Sequence, residues 1–99
     1  MAQFLVELYV SRTGAAAIES ACDSVRVAAE ALTREGTRVR YLQSIFVPED
    51  ETCFLLCEAG SADGVREAAR RAGIVVERIA VALAQPRRGE FSPCPSRSQ

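Results

Sequence analysis

The fold of this chain is decided by residues 39–73, which read VRYLQSIFVPEDETCFLLCEAGSADGVREAARRAG. An alternating segment up to Val47 is followed by Pro48-Glu49-Asp50-Glu51, where the proline suits the second position of a type I turn. A second strand, residues 52–59, then leads into a short Arg-rich helix that ends at Gly73. A β-hairpin that feeds a helix is one half of a two-layer α/β sandwich.

The flanking segments predict the other half of the sandwich. Residues 3–10 alternate between two faces, one of them fully apolar, which indicates a strand. Residues 15–35 carry apolar side chains at helical spacing, and residues 37–47 and 74–83 complete the set of strands. The resulting order, β-α-β-β-α-β, predicts a ferredoxin-like α+β sandwich with a four-stranded antiparallel sheet and two helices on one face.

Composition bounds the domain organisation and the partners. The chain has 99 residues, 48% of them hydrophobic, which suits one domain with its own core. We place this domain at residues 1–84 and a disordered tail, rich in Pro, Arg, Gly and Ser, at residues 85–99. A formal net charge of −1 offers no large positive field for nucleic acid. Without a secretory signal or a long apolar run, we expect a cytoplasmic protein with no membrane partner.

Two residue types that carry much enzyme chemistry are missing from the sequence. There is no Lys, so no side chain can form a Schiff base with a carbonyl substrate or with pyridoxal phosphate. There is no His, which removes the commonest general base and the commonest metal ligand. We therefore expect neither a cofactor nor a metal ion. All positive side-chain charge is carried by Arg, and Glu30 and Arg34 are spaced for an i,i+4 ion pair on the first helix.

The four cysteines do not form a recognisable metal motif. Cys53 and Cys57 would lie on one face of a strand about 13 Å apart, given a rise of ~3.3 Å per residue, which is too far to bind one zinc ion together. We expect these two and Cys22 to be buried reduced thiols that pack as small apolar residues. Cys94, between two prolines of the tail, is expected to be exposed.

The third strand predicts a second subunit. Both faces of residues 52–58 are largely apolar, so this strand is predicted to be central and covered on both sides. The two helices can cover only one side of the sheet. We therefore expect a second copy of the chain to cover the helix-free face, which would give a homodimer of the dimeric α/β-barrel type.

The helix-free face is also the candidate site, because it combines an apolar surface with a few polar groups, as small-molecule pockets do. The candidate catalytic residues are Glu7, Tyr9 and Arg78. The candidate ligand-binding residues are Tyr41, Gln43, Phe54, Leu56 and Glu58. Both faces of the second strand mix polar and apolar residues, so the sequence leaves open whether Tyr41 and Gln43 lie on this side of the sheet. The same residues could instead form only a dimer interface.

The role of Glu7 depends on Arg78. If Arg78 reaches it from the neighbouring strand, the two residues are a structural cross-strand ion pair. If Arg78 points to solvent or to a ligand, Glu7 is a candidate general acid or base, with Tyr9 as its hydrogen-bond partner and Arg78 as an oxyanion contact. We favour the second alternative as a hypothesis.

Several motifs resemble a small family of bacterial ferredoxin-like domains of unknown function. The resemblance spans residues 1–83 and rests on Ser44, the Pro48-Glu49-Asp50 turn, Cys57-Glu58-Ala59, the helix REAARRAG and Glu77-Arg78-Ile79. That family includes an actinobacterial nickel-binding member that forms dimers, so the resemblance implies the fold, a dimer and a pocket. It does not imply nickel binding here, because Gln43 stands where we align a histidine of nickel-binding relatives.

Two classes of function stay open on the sequence. The first is a cofactor-free isomerase or cyclase that acts on an apolar metabolite, in which a carboxylate moves a proton and Tyr or Arg stabilises an oxyanion. The second is a non-catalytic binding or regulatory protein related to the nickel-binding family members. Both predict a homodimer and a small apolar ligand.

Overall fold

Four strands and two helices follow one another in the predicted order. In the computed structural model, which describes residues 1–83, the elements are β1 (Ala2–Tyr9), α1 (Ala15–Arg34), β2 (Val39–Val47), β3 (Thr52–Ala59), α2 (Ala62–Arg71) and β4 (Arg78–Ala82). All strand pairs are antiparallel and the sheet order is β2-β3-β1-β4. The predicted ferredoxin-like sandwich is therefore confirmed, with β2 at an edge and β3 in the centre. The predicted tail, residues 85–99 with Cys94, lies outside the described residues.

The core lies between the helices and one face of the two central strands. Every second residue of β1 and β3 on this side is at most 7% exposed, namely Phe4, Val6, Leu8, Cys53, Leu55 and Cys57. Small residues dominate the helix surfaces that cover them, with Ala28 and Ala29 on α1 and Ala68 and Ala69 on α2 all buried. Short side chains allow both helices to lie close to the sheet, and the buried set contains no charged or polar residue among the described positions.

Both helices end in the same hydrogen-bonded turn. Gly36 follows α1 with a φ of 103°, and the N–H of Thr37 donates to the carbonyl of Leu32 at 2.8 Å. This is the Schellman arrangement, in which the turn after the helix, with its left-handed residue, provides hydrogen bonds to the last free carbonyls. Gly73 repeats it after α2, where the Ile74 N–H donates to the Ala69 carbonyl. Because that turn occupies Ile74, β4 begins at Arg78 and is shorter than predicted.

One irregularity in β2 changes which residues face the helices. Its pairing with β3 shifts between Tyr41 and Gln43, so that Leu42 is an extra residue on the bulged strand. As a result Val39, Tyr41, Ser44 and Phe46 lie on the helix side, and Arg40, Gln43, Ile45 and Val47 lie on the helix-free side. The prediction of one unbroken alternation along this strand was wrong.

Candidate functional site

The helix-free face is organised in rows that cross the sheet. In one row Glu7 of β1 lies between Phe54 of β3 and Arg78 of β4, with Ile45 of β2 beyond Phe54. In the next row Leu5 lies between Leu56 and Ala80, with Gln43 beyond Leu56. The centre of this face is therefore apolar, and its polar groups lie around the apolar centre.

A single chain leaves this apolar centre incompletely covered. Leu5, Phe54 and Leu56 are only half-buried, although the residues adjacent to them in the same strands are buried. At the margins, Ile45 is 52% exposed and Tyr9, opposite Thr52 at the end of β1, is 60% exposed. An apolar surface that spans four strands is typical of a protein or ligand contact.

Glu7 and Arg78 form an ion pair in this structure. The Nε atom of Arg78 lies 3.5 Å from Oε1 of Glu7, and the two residues are directly opposite each other on β1 and β4. The Arg78 side chain is 69% exposed and that of Glu7 34% exposed. This is the first of the two alternatives, the cross-strand pair, and the arrangement in which Arg78 turns away from Glu7 was wrong. A role for Glu7 in proton transfer stays a prediction.

A second ion pair lies at the opposite side of the helix-free face. Arg40 Nη1 of β2 lies 3.8 Å from Glu58 Oε1 of β3, and these two residues are also register partners. Gln43 lies one row further along β2 from this pair. The apolar centre is thus flanked by one ion pair at the β4 side and one at the β2 side.

Tyr41 is the one candidate residue that the structure places elsewhere. It precedes the bulge and pairs with Cys57, so its side chain lies on the helix side, where it packs at the edge of the core. Burial raises the pKa of the Tyr41 hydroxyl, and a hydrogen bond with Cys22 raises it further. Tyr41 therefore stays neutral at physiological pH and takes no part in the helix-free face. The other seven candidates lie on that face, as predicted: Glu7, Tyr9, Gln43, Phe54, Leu56, Glu58 and Arg78.

The side chains of residues 1–83 do not offer a donor set that fits a nickel ion. Within residues 1–83 no three His, Cys, Asp or Glu side chains are grouped closely enough to hold one metal. Cys53 and Cys57 face the helices, and burial raises the pKa of both thiols, that of Cys57 to about 11. Since metals bind the thiolate form, both cysteines are poor ligands at neutral pH.

Sequence reasoning missed a second feature, a cleft between α1 and the edge strand β2. It has a volume of about 600 Å³, and its wall contains four arginines, Arg26, Arg34, Arg38 and Arg40. The available signal was the concentration of Arg between positions 26 and 40.

The fold and the candidate site together define a ferredoxin-like α+β protein in which the helices leave one apolar face of the sheet uncovered. The chain matches the model of the SCO4226-like family, described as nickel responsive protein SCO4226-like, over residues 9–81, and it belongs to that family. This confirms the family resemblance seen in the sequence.

One solved structure shows the same fold. The crystal structure of SCO4226 from Streptomyces coelicolor A3(2) matches with a TM-score of 0.68 and 21% sequence identity, covering 86% of this chain and all of the other. No curated protein gives a significant match to this chain. Within the described part of the chain, neither helix has the length and apolar character needed to cross a bilayer.

Proposed function

We propose that this chain is a non-catalytic regulatory protein whose two copies pair through their helix-free faces and enclose a small apolar ligand. The observation that carries the proposal is the half-buried band of Leu5, Phe54 and Leu56 in the middle of the sheet. Side chains of this size are rarely left in water as a continuous surface by a single folded chain. Membership of a nickel-responsive family supports a binding or regulatory role over catalysis.

A second copy of the chain is the occupant that fits this face best. Paired faces would bring two identical apolar centres together, and a two-fold interface needs such a self-complementary surface. The ion pairs Glu7–Arg78 and Arg40–Glu58 lie to either side of the apolar centre, which matches the usual division into an apolar interface core and a polar rim. In each pair the two opposite charges already compensate each other within one chain. Burying such a pair at an interface therefore costs less free energy than burying a single charge.

The ligand that we propose is apolar with one or two polar groups. The face offers Gln43, Tyr9 and the Glu7–Arg78 pair as polar partners around a largely aliphatic surface. The family description refers to nickel, but the donor set of residues 1–83 does not support a nickel site. We therefore carry over the regulatory role and not the metal. A cytoplasmic location, consistent with the unpaired thiols of Cys22, Cys53 and Cys57, is part of this proposal.

The isomerase or cyclase hypothesis has less support. A general base needs a carboxylate that is free to take a proton from substrate, and Glu7 is instead compensated by Arg78 at 3.5 Å. Catalysis would require the ligand to displace Arg78 from Glu7. That step can be detected, because it would couple ligand binding to the ion pair.

The dimer is tested by changing the centre of the helix-free face. Leu56→Arg places a charge in the proposed interface, and we expect light scattering at micromolar concentration to change from twice the chain mass to the single-chain mass. The matched control is Val75→Arg, since Val75 is 82% exposed and lies outside the sheet. The neutral dye Nile red should bind wild type and the control but not Leu56→Arg. A wild-type protein that is strictly monomeric, or a variant that stays dimeric, would contradict the proposal.

The metal is tested by calorimetry with Ni²⁺ and reduced protein. We expect only weak heats, because no His is present and the two buried thiols are protonated at neutral pH. The control is the same titration after replacing all four cysteines by Ser. One tight stoichiometric site in both proteins would show that a metal site exists and that the donor argument fails.

A further inference from the structure

We propose that the cleft between α1 and β2 is a second binding site, which takes a small organic molecule with an anionic oxygen group, a carboxylate or a phosphate, and a short apolar body. It shares Arg40 and Glu58 with the rim of the helix-free face but lies between α1 and β2, and it goes beyond the function proposed above. Its volume of about 600 Å³ lies within the range of small-molecule pockets.

Two arginines of this cleft form no ion pair with any carboxylate of residues 1–83. Among residues 1–83, seven of the nine arginines lie within 4.0 Å of a carboxylate oxygen, and the two that do not are Arg34 and Arg38. Both line the cleft. The expected Glu30–Arg34 pair does not form, because Glu30 pairs with Arg26 at 3.4 Å instead. The prediction of that pair was wrong, and Arg34 keeps its five donors available to a ligand.

The charge of the cleft is opposite to that of the described chain. Residues 1–83 carry twelve acidic side chains against nine arginines, whereas the cleft wall carries four arginines against Glu30 and Glu58. Each of these two acids already pairs with a cleft arginine, Glu30 with Arg26 and Glu58 with Arg40. An excess of positive charge at one cleft of an acidic surface attracts and holds anions. The guanidinium group binds carboxylate or phosphate through two parallel hydrogen bonds.

The cleft floor is apolar and held in place. Ala29 of α1 and Val39 of β2 are both buried at the bottom, and the half-buried ring of Tyr41 forms part of the wall. Thr33 connects α1 to β2 by two hydrogen bonds. Its hydroxyl donates to the Val39 carbonyl at 2.9 Å and accepts from the Val39 N–H at 3.2 Å. Such a floor favours a ligand with an apolar part below its charged group.

The turn after α1 brings Arg34 and Arg38 to the same end of the cleft. Arg34 is the last residue of the helix, and Arg38 directly precedes β2, with the Schellman turn at Gly36 between them. The carboxyl end of α1 carries a partial negative charge that opposes an anion. That partial charge is about half of one unit and is outweighed by two full guanidinium charges.

The test uses four eight-carbon probes that differ only in the head group. Octanoate and octyl phosphate present the two anions, octanol is neutral and octylammonium is cationic. We expect calorimetry to show one site per chain for at least one anion, with affinity that falls as salt is raised and much weaker binding of octanol and octylammonium. The stronger of the two anions identifies the head group as carboxylate or phosphate.

Variants place this binding in the cleft. Arg34→Gln and Arg38→Gln should each weaken anion binding roughly tenfold, as expected for the loss of one charge-assisted contact. The matched control is Arg66→Gln, an exposed arginine of α2 that pairs with Asp63 and does not line the cleft, and it should bind as wild type does. Thermal melts of all three variants report folding separately. Leu56→Arg should keep anion binding, so failure of the dimer proposal and failure of this one are distinguishable.

Three outcomes would overturn the proposal. The first is no binding of either anion at millimolar concentration by wild-type protein. The second is octanol binding as tight as octanoate binding, which would mean that the arginines contribute nothing. The third is anion binding that Arg34→Gln and Arg38→Gln leave unchanged, or that Arg66→Gln weakens equally.

Discussion

The two faces of the sheet are built from the same strands but are covered to very different extents. On the helix side, alternate residues of β1 and β3 are at most 7% exposed. On the other side, Leu5, Phe54 and Leu56 stay half-buried, and Ile45 is 52% exposed. Both sets are apolar, so the difference comes from what packs against them and not from hydrophobicity.

This difference separates the residues that determine the fold from those available for binding. The helix side specifies the packing of α1 and α2 on the sheet. Neither helix packs on the helix-free side, yet that side has large, partly buried apolar residues. A continuous apolar surface of this kind indicates a contact site.

The largest expected effect compares two neighbouring leucines of β3. Leu55 is 1% exposed on the helix side, so Leu55→Ala should lower the free energy of unfolding by about 2–5 kcal/mol through lost burial and a cavity. Leu56 faces the other way and is half-buried, so Leu56→Ala should cost a single chain less than half as much.

Urea unfolding at low protein concentration measures both changes in the same strand. The proposed dimer predicts that Leu56→Ala loses additional stability at higher concentration, because dimerisation would add to the stability of the wild type. Equal losses for the two variants at low concentration would mean that the helix-free face is already packed within one chain, and the contrast between the faces would be lost.

Sequence periodicity was sufficient to predict the order of the helices and strands, and to predict which residues of β1 and β3 face the helices. Alternation in these strands is regular, and the predicted inner residues are buried on the helix side. These are Phe4, Val6 and Leu8 of β1 and Cys53, Leu55 and Cys57 of β3. The facing of β2 could not be predicted, because one extra residue at the bulge reverses the alternation after Tyr41. Nothing in a strand with two mixed faces marks where such a residue is inserted.

The charged contacts were harder to predict than the core. Glu30 has Arg26 and Arg34 four residues away on either side on α1. The favoured orientation of a helical pair predicts Arg34, whereas the structure pairs Glu30 with Arg26. The cleft beside it depends on how α1 lies against β2, which is tertiary information. Glu67 is spaced for a pair with either Arg70 or Arg71 on α2, and it pairs with both.

A smaller effect is expected at the ion pair of the helix-free face. Glu7→Gln removes one partner of a half-exposed cross-strand pair, which should cost about 0.2–1 kcal/mol of unfolding free energy. Arg78→Gln should cost a similar amount, and the double variant should cost less than the sum of the two, because both remove the same contact. Unfolding of the four proteins measures the coupling.

The coupling also tests the role of Glu7. A positive coupling in the free protein identifies Glu7 and Arg78 as structural partners. If the double variant is strictly additive, the pair contributes nothing to stability, and Glu7 is available for the chemistry of an isomerase or cyclase. An apolar ligand that abolishes the coupling would indicate that it displaces Arg78.

The smallest effect is expected on the outer surface of the helix layer, where ion pairs of Arg71 connect α2 to the end of α1. Arg71 of α2 donates two hydrogen bonds to Glu35 after α1, at 2.8 and 2.9 Å, and a third to Glu67 at 3.0 Å. The hydrogen bond from Arg71 lowers the pKa of Glu35, and Arg70 and then Arg71 lower the pKa of Glu67 to about 2. Both carboxylates are therefore harder to protonate in the folded chain than in the unfolded chain.

The sign of the pH dependence follows from these shifts. The folded pKa lies below the usual value of 4.5, so the contribution to stability is complete above that pH and is lost as the pH falls from 4.5 towards 2. Arg71→Gln removes the ion pairs of Arg71 with Glu35 and Glu67. The midpoint of unfolding of this variant should therefore fall less steeply with decreasing pH than that of the wild type in this window. At high salt, which screens the charges, the two proteins should show the same dependence on pH. Arg66→Gln, which breaks only the Asp63 contact within α2, is the control. Because all of these groups are exposed, the difference should be small at neutral pH, and a large loss there would show that Arg71 contributes by packing between the helices and not by charge.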